Sequence, residues 1–243
     1  MPATESTLPI VEFNDIDLES AAIRVKEMAL TPCFEIVITP NIDHLSRLTN
    51  KQNPELHSIY KSAALTLCDS KIVQKLMRFK GKIIHNVIPG STLTDYLFRS
   101  GSVDNKNVCI IGAESEDIQQ LSEDFPNVSI SHINPSMGFI NKPEEVADII
   151  DKVCRLRPDF VFLAVGSPRQ EVLAAKIQQQ YHHGVGLCIG ASILFLVGKE
   201  KRAPQLFQTL HLEWLYRALQ RPQTLIKRYA KNFLALPAIY SEL

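Results

Sequence analysis

Two polar clusters that follow apolar runs are the first candidates for chemistry. Thr39-Pro40-Asn41 follows the run at residues 34–38, and Asp69-Ser70 closes the run at residues 65–68. A hydroxyl, an amide and a carboxylate can each hydrogen-bond a polar ligand. These segments therefore indicate a ligand site, provided that the runs before them are strands.

Two glycine-containing segments add backbone donors to the candidate site. Gly166-Ser167-Pro168 is followed by Arg169, Gln170 and Glu171, which places a glycine, a helix-starting proline and three polar side chains at one helix N-terminus. Backbone N–H groups at such a position can bind an anion. Gly190-Ala191-Ser192 consists of small residues that let a ligand approach the backbone.

Each cluster also has a purely structural interpretation. Thr39 and Asn41 could cap a helix from residue 42, Asp69 could cap a helix from Ser70, and residues 166–168 could be an ordinary strand-to-helix turn. The residue types alone leave both interpretations open.

The metal and nucleotide motifs in the chain are incomplete. Gly112 follows an apolar run, but no GxGxxG pattern and no P-loop lysine are present. His182-His183 lacks partners at metal-ligand spacing, and Asp15-Ile16-Asp17 does not follow an apolar strand. We therefore predict no metal ligand.

The elements that would position these residues alternate along the chain. Short apolar runs alternate with amphipathic stretches, which predicts a mostly parallel, Rossmann-like α/β sheet with flanking helices. The predicted strands are 34–38, 82–87, 108–111, 128–130, 160–165 and 186–189, and the predicted helices are 42–48, 54–64, 115–125, 143–156 and 168–181. Ligands of such sheets bind outside the carboxyl ends of the strands, where the polar clusters would meet.

Composition limits the class of protein. The 243 residues are 45% hydrophobic and 21% charged, with a mean hydropathy of −0.01, which excludes a disordered chain. The 26 basic and 26 acidic residues cancel, so no whole-protein field would attract nucleic acid. Five cysteines without a CxxC pair indicate reduced thiols in the cytoplasm, and neither a secretory signal nor an apolar stretch of membrane-spanning length is expected.

The zero net charge conceals a basic tail. Residues 199–231 contain eight basic and two acidic residues. Prolines 204 and 222 predict the starts of two helices, and Pro237 predicts the end of the second. Leu225, Tyr229 and Phe233 share a face of that second helix, so it could lie on a membrane or pack on the core with its lysines in water.

In order, these segments resemble the WecG/TagA/CpsF family of bacterial glycosyltransferases, glycosyltransferase family 26. The resemblance runs from about residue 31 to 233. Its most specific parts are Pro168-Arg169-Gln170-Glu171 and Arg202-Ala203-Pro204 followed by Glu213-Trp214 and Arg217. The other matching positions are Thr39, Asn41, Asp69, Gly112, Gly138, Gly166, Gly190 and Arg228.

The resemblance implies an inverting, metal-independent transfer of a sugar from a UDP-sugar to an undecaprenyl-diphosphate-linked saccharide in cell-surface polysaccharide biosynthesis. The sugar would be N-acetylmannosamine, its uronic acid or glucose. The resemblance also implies a GT-E type catalytic domain, here residues 1–200. A helical appendage, residues 201–243, would meet the inner face of the cell membrane, with the protein otherwise cytoplasmic.

The resemblance also implies roles for single residues. Asp69 would be the catalytic base, Thr39 and Asn41 would line the pocket, and Gln170 would face the substrate. Arginines of the appendage would hold a diphosphate together with backbone N–H groups at helix starts. These arginines are Arg217, Arg221 and Arg228, and the further substrate-binding candidates are Gly112, Gly138, Gly166, Arg169, Glu171, Gly190 and Arg202.

Two departures from the family pattern leave alternatives. Ser70 stands where the family usually has glycine, and Arg169 stands where lysine is common. A family member that binds a nucleotide sugar or lipid without turnover is therefore one alternative. A second is a soluble nucleotide-dependent enzyme whose basic tail forms an oligomer contact, and a homo-oligomer is possible in either case.

Overall fold

The architecture follows the predicted alternation of strands and helices. A computed structural model describes residues 10–49, 53–200 and 222–243, with side chains of the last range described from residue 230. The strands are β1 Glu35–Ile38, β2 Leu65–Thr66, β3 Asn107–Gly112, β4 Ser129–Ile133, β5 Phe160–Ala164 and β6 Val185–Cys188. The helices are α1 Leu18–Met28, α2 Ile42–Leu48, α3 Pro54–Ser62, α4 Lys71–Phe79, α5 Gly90–Arg99, α6 Ser115–Asp124, α7 Pro143–Leu156, α8 Arg169–Gln178, α9 Ser192–Leu196 and α10 Pro222–Glu242.

The six strands form one parallel sheet in the order β2-β1-β6-β5-β3-β4. The prediction of a Rossmann-like α/β fold is confirmed. Because every strand runs in the same direction, the segments that follow the strands all lie along one edge of the sheet. We call this edge the carboxyl edge.

The core consists of two layers on opposite faces of the sheet. Alternate residues of one strand point to opposite faces. Cys109 and Ile111 of β3 therefore pack on one layer, and Val108 and Ile110 pack on the other. Helices α2, α3, α4, α7, α8 and α10 contribute to the first layer, and α1, α5, α6 and α9 to the second.

The predicted strand at residues 82–87 is wrong. The backbone groups of this segment pair with the carbonyl of Met77 and with side chains rather than with a neighbouring strand. The N–H groups of His85 and Asn86 donate to the Asp15 carboxylate, and the Gln74 amide donates to the carbonyls of Ile84 and His85. The segment is apolar because Ile84 packs in the core, not because it belongs to the sheet.

The predicted end of the last helix at Pro237 is also wrong, because α10 continues to Glu242. Ile239 and Leu243 are buried in the core layer that contains α2. Burial of these side chains outweighs the hydrogen bond that an internal proline removes. The helix predicted from residue 204 lies outside the described residues, and the division between residues 200 and 201 stays a prediction.

Candidate functional site

The carboxyl edge brings the predicted clusters of neighbouring strands together. Ile38, the last residue of β1, pairs with Thr66 of β2 and with Cys188 of β6. Beyond the strands, the N–H of Asp69 donates to the carbonyl of Pro40 at 3.2 Å. This bond places the half-buried Asp69 directly beside the turn that follows β1.

Thr39 takes part in a close contact that sequence reasoning missed. A Cβ on Gly90, the first residue of α5, would lie 2.8 Å from Thr39 Oγ1 and 3.6 Å from Ser192 Oγ. Glycine at position 90 therefore leaves room for the Thr39 hydroxyl. The available signal was the Pro89-Gly90 pair, which precedes a helical pattern.

Asn41 caps α2, as its structural interpretation predicts. Its Oδ1 accepts hydrogen bonds from the N–H groups of Asp43, at 3.0 Å, and His44, at 3.4 Å, and it lies 2.8 Å from His44 Nδ1. The cap fixes the side chain at the carboxyl end of β1. A role in lining the crevice is compatible with this position.

Ser70, and not Asp69, caps the helix that follows β2. Ser70 Oγ accepts a hydrogen bond from the N–H of Val73 at 3.3 Å. The φ angle of Ser70 is −156°, an extended conformation that any residue can adopt. The serine therefore causes no backbone strain at a position where the related family usually has glycine.

Gln170 and Glu171 are buried, with exposed fractions of 2% and 1%. Gln170 Oε1 accepts a hydrogen bond from the N–H of Gly190 at 2.9 Å, and its Nε2 donates to Glu171 Oε1 at 3.0 Å. The Gln170 amide thus connects α8 to the turn after β6. Direct contact between Gln170 and substrate stays a prediction.

Glu171 is the centre of a buried polar cluster. The Tyr60 hydroxyl donates to Glu171 Oε1 at 3.4 Å, and His44 Nε2 lies 3.6 Å from the same oxygen. Burial, reinforced by the charge of Glu171, raises the pKa values of Tyr60 and Cys188 well above their ordinary ranges. Tyr60 therefore keeps its proton and donates a hydrogen bond to Glu171. Sequence reasoning identified neither Tyr60 nor His44.

The turns after β3 and β5 contain glycines with positive φ angles. Gly112 has φ +96°, and a Cβ there would lie 2.9 Å from the carbonyl oxygen of Ala164. Gly166 has φ +74°, and a Cβ there would lie 3.3 Å from Nη2 of Arg169. The half-buried Arg169 thus places a cation over the turn at the carboxyl end of β5.

The remaining predicted residues are not brought together by the described contacts. Gly138 begins a 3-10 turn after the edge strand β4, which β3 separates from β5. Arg202, Arg217 and Arg221 lie outside the described residues. Arg228 lies in the part of α10 before residue 230, where only the backbone is described.

Side chains that the sequence analysis considered as possible metal ligands have hydrogen-bond or ion-pair partners within the fold. Asp15 accepts hydrogen bonds from His85 and Asn86, Asp17 caps α1, and His183 lies 3.2 Å from Asp159. Across residues 10–49, 53–200 and 222–243, no group of three His, Cys, Asp or Glu side chains could hold a metal ion. Over the same ranges, no helix is long and apolar enough to cross a membrane.

A parallel sheet with polar groups and glycine turns at its carboxyl edge defines a Rossmann-like α/β protein, a class in which ligands bind beyond the carboxyl ends of the strands. The model of the Glycosyl transferase WecG/TagA/CpsF family matches residues 7–243, and the chain belongs to this family. The resemblance found in the sequence is thereby confirmed.

Two curated relatives have the same name, N-acetylglucosaminyldiphosphoundecaprenol N-acetyl-beta-D-mannosaminyltransferase. The protein from Bacillus spizizenii is 33% identical over 89% of this chain and 84% of its own length. The protein from Staphylococcus aureus is 28% identical over 75% of this chain and 71% of its own length.

Proposed function

We propose that this protein transfers N-acetylmannosamine from its UDP conjugate to N-acetylglucosaminyl-diphosphoundecaprenol, with inversion at the anomeric carbon. The observation that carries the proposal is membership of the glycosyltransferase family, together with 33% identity to a relative of that name over 89% of the chain. The donor is the N-acetylmannosamine conjugate rather than a glucose or uronic acid conjugate because both relatives are named for that sugar.

Asp69 acts as the general base in this proposal. Its carboxylate takes the proton of the acceptor hydroxyl while the hydroxyl oxygen bonds to the anomeric carbon, and the bond from that carbon to the UDP oxygen breaks. The position of Asp69 beside the turn after β1 supports the assignment, because Thr39 and Asn41 there can orient a sugar. The UDP leaves as an anion.

Cationic side chains and helix N-termini stabilise the leaving diphosphate in this proposal. Arg169 lies at the carboxyl edge, where the N-terminus of α8 also points. Arg217, Arg221 and Arg228 of the basic tail supply further guanidinium groups, which bind phosphate oxygens in bidentate fashion. Transfer is therefore expected to continue in EDTA.

In this proposal, the C-terminal residues 201–243 also hold the protein peripherally on the inner face of the cell membrane. Phe233 and Leu234 of α10 are exposed, although both are large and apolar. Exposed aromatic side chains next to cations favour the boundary between headgroups and acyl chains. Residues 201–243 would then act as an appendage to a catalytic body, residues 1–200.

A donor screen tests the proposal. The full chain is incubated in detergent with a short-chain polyprenyl-diphosphate N-acetylglucosamine, and UDP release and product are measured. UDP-N-acetylmannosamine should be the best donor, ahead of its uronic acid, UDP-glucose and UDP-N-acetylglucosamine, with or without EDTA.

Two results of this screen would count against the proposal. Loss of transfer in EDTA with recovery in Mn²⁺ would overturn metal independence. Binding of UDP-sugar with no turnover of any donor would favour a scaffold protein, the alternative that the serine at position 70 raises.

A further inference from the structure

Helix α4 and the segment after it are strongly basic. No acidic residue occurs between Asp69 and Asp95 in the sequence, whereas five basic residues do, namely Lys71, Lys75, Arg78, Lys80 and Lys82. Lys75 and Arg78 are exposed on α4 itself. This concentration of positive charge is separate in sequence from the basic tail.

Large apolar side chains are exposed among these cations. Phe79 is 78% exposed and Ile83 is 65% exposed. Ile72, Lys75 and Phe79 recur at helical spacing and share one exposed face of α4, while Val73 and Met77 on the opposite face are buried in the core. We call the exposed set Ile72, Lys75, Arg78, Phe79 and Ile83 the α4 surface.

The C-terminal helix is held beside the α4 surface. Lys80 Nζ donates to the carbonyl of Ser241 at 3.1 Å and lies 5.1 Å from the ring centre of Tyr240, which is 39% exposed. Lys82 Nζ donates to the carbonyl of Leu243 at 2.7 Å. The last turn of α10 and the end of α4 therefore form one continuous part of the protein surface.

We infer that the α4 surface binds the anionic headgroups of a phospholipid bilayer, as a contact additional to the C-terminal tail. Exposed Lys and Arg side chains complement anionic lipid, and an exposed phenyl ring between Arg78 and Lys80 is suited to the interface. Scattered apolar side chains among cations match a bilayer better than the groove or continuous apolar patch that a protein partner needs.

Membrane binding at the α4 surface would bring the proposed active site close to its lipid-linked acceptor. Helix α4 begins two residues after Asp69, so the N-terminal end of the α4 surface, at Ile72, lies close to the carboxyl end of β2, while Phe79 lies about two turns further along the helix. A lipid-linked diphosphate would then reach the site from the same side. The benefit to transfer rests on the proposed function, whereas vesicle binding itself can be measured without donor or acceptor.

Vesicle flotation with the full chain tests the inference. The charge-reversed variant Lys75→Glu/Arg78→Glu should bind phosphatidylglycerol-containing vesicles at least about thirtyfold more weakly than wild type, because each cation near an anionic surface contributes about 1 kcal/mol. Phe79→Ser keeps the charge and should weaken binding about tenfold. Thermal unfolding confirms that each variant folds.

Helix α1 offers a matched control. Arg24→Glu/Lys26→Glu makes the same change in net charge on a helix that also exposes Ile23 but carries Glu19 and Glu27 among its cations. This variant should bind vesicles within about threefold of wild type, since its four units of charge change lie away from the α4 surface and are screened by salt.

The outcomes separate this inference from the proposed function. Transfer to a short-chain acceptor in detergent should be unchanged in the α4 variants, and a loss there together with normal vesicle binding would overturn the inference. Binding that the α4 variants retain, or that is equal for neutral phosphatidylcholine vesicles, also overturns it. Retained binding or equal binding to neutral vesicles would mean that another partner occupies the α4 surface, or that the C-terminal tail alone binds the membrane.

Discussion

Asp69 and Gln170 represent two kinds of residue at the carboxyl edge. Asp69 is half-buried beside the turn after β1, whereas Gln170 is buried and its amide is hydrogen-bonded to Gly190 and Glu171. A carboxylate that takes a proton needs access to the acceptor. An amide that holds a turn needs only its protein partners. We therefore expect a substitution at position 69 to lower the rate of transfer, and a substitution at position 170 to lower stability and raise KM.

Asp69→Asn removes the carboxylate that we propose as the base but keeps the size of the side chain. The rate of transfer should fall by about 10²- to 10⁴-fold, the usual contribution of a positioned general base, with little change in KM or thermal stability. Asp95→Asn is the control, because Asp95 is a partly exposed α5 residue whose partner is Arg99. Wild-type transfer by Asp69→Asn would exclude Asp69 as the base.

Gln170→Ala leaves the N–H of Gly190 without its partner and removes one of the hydrogen bonds to the buried Glu171. The free energy of unfolding should fall by about 1–3 kcal/mol, and KM should rise because the turn after β6 loses its support. Gln178→Ala provides the comparison on the same helix, since Gln178 Nε2 donates to the carbonyl of Phe34 at the opposite edge of the sheet.

Urea unfolding and steady-state kinetics distinguish these two variants. Gln178→Ala should be destabilised to a similar extent but keep its KM. Equal changes of KM in both variants would show that the effect of position 170 is a general loss of stability and not support of the site.

At the scale of elements, the sequence predicts helices most reliably where it contains a capping residue or a proline that marks the first turn. Helix α7 begins at Pro143 with two acidic residues in its first turn, and α2 begins after the Asn41 cap, as the sequence predicts. Helix α1 was missed because two of the four residues on its buried face, Ala21 and Ala22, are small. The sequence signal for α1 was Asp17, an N-cap residue that precedes apolar residues at helical spacing.

Pro237 lies inside α10, so its replacement should stabilise the protein. Pro237→Ala restores a backbone N–H and removes a ring from the helix interior, and it should raise the free energy of unfolding by about 1–3 kcal/mol. Pro143→Ala is the control, because the first position of α7 needs no N–H donor. A destabilised Pro237→Ala variant would show that the proline supports the packing of α10.

At the scale of the whole molecule, the two core layers depend on contacts between distant parts of the chain. Asp15 precedes α1, yet its carboxylate accepts the N–H groups of His85 and Asn86 at 3.0 Å and 2.9 Å. Partial burial acts to raise the pKa of Asp15, but these hydrogen bonds together lower it from 3.8 to about 2. The ionised carboxylate therefore stabilises the fold more than the protonated form does.

The contribution of Asp15 should depend on pH in one direction. A lowered pKa in the folded state gives stability that is present above pH 3.8 and is lost as the pH falls toward 2. The difference in unfolding free energy between wild type and Asp15→Asn should thus shrink over that interval. Chemical unfolding at several pH values measures it, and a difference that grows as the pH falls would contradict the assignment.

The sequence by itself determined the class of fold, the family and most strand and helix positions. These depend on local signals, such as the proline at position 143, the asparagine at position 41 and the order of motifs from Thr39 to Arg228. Capping and hydrophobic periodicity act between residues a few positions apart, so they can be read without tertiary structure.

Only the tertiary structure decided what the local signals left open. It showed that the apolar segment 82–87 pairs with Asp15 and Gln74 instead of a strand, and that Gln170 holds the turn at Gly190. It also showed that the phenyl ring of Phe79 remains in solvent. Each of these outcomes depends on a partner far away in the sequence, or on the lack of one among the described residues, and no pattern of neighbouring residues encodes such a partner.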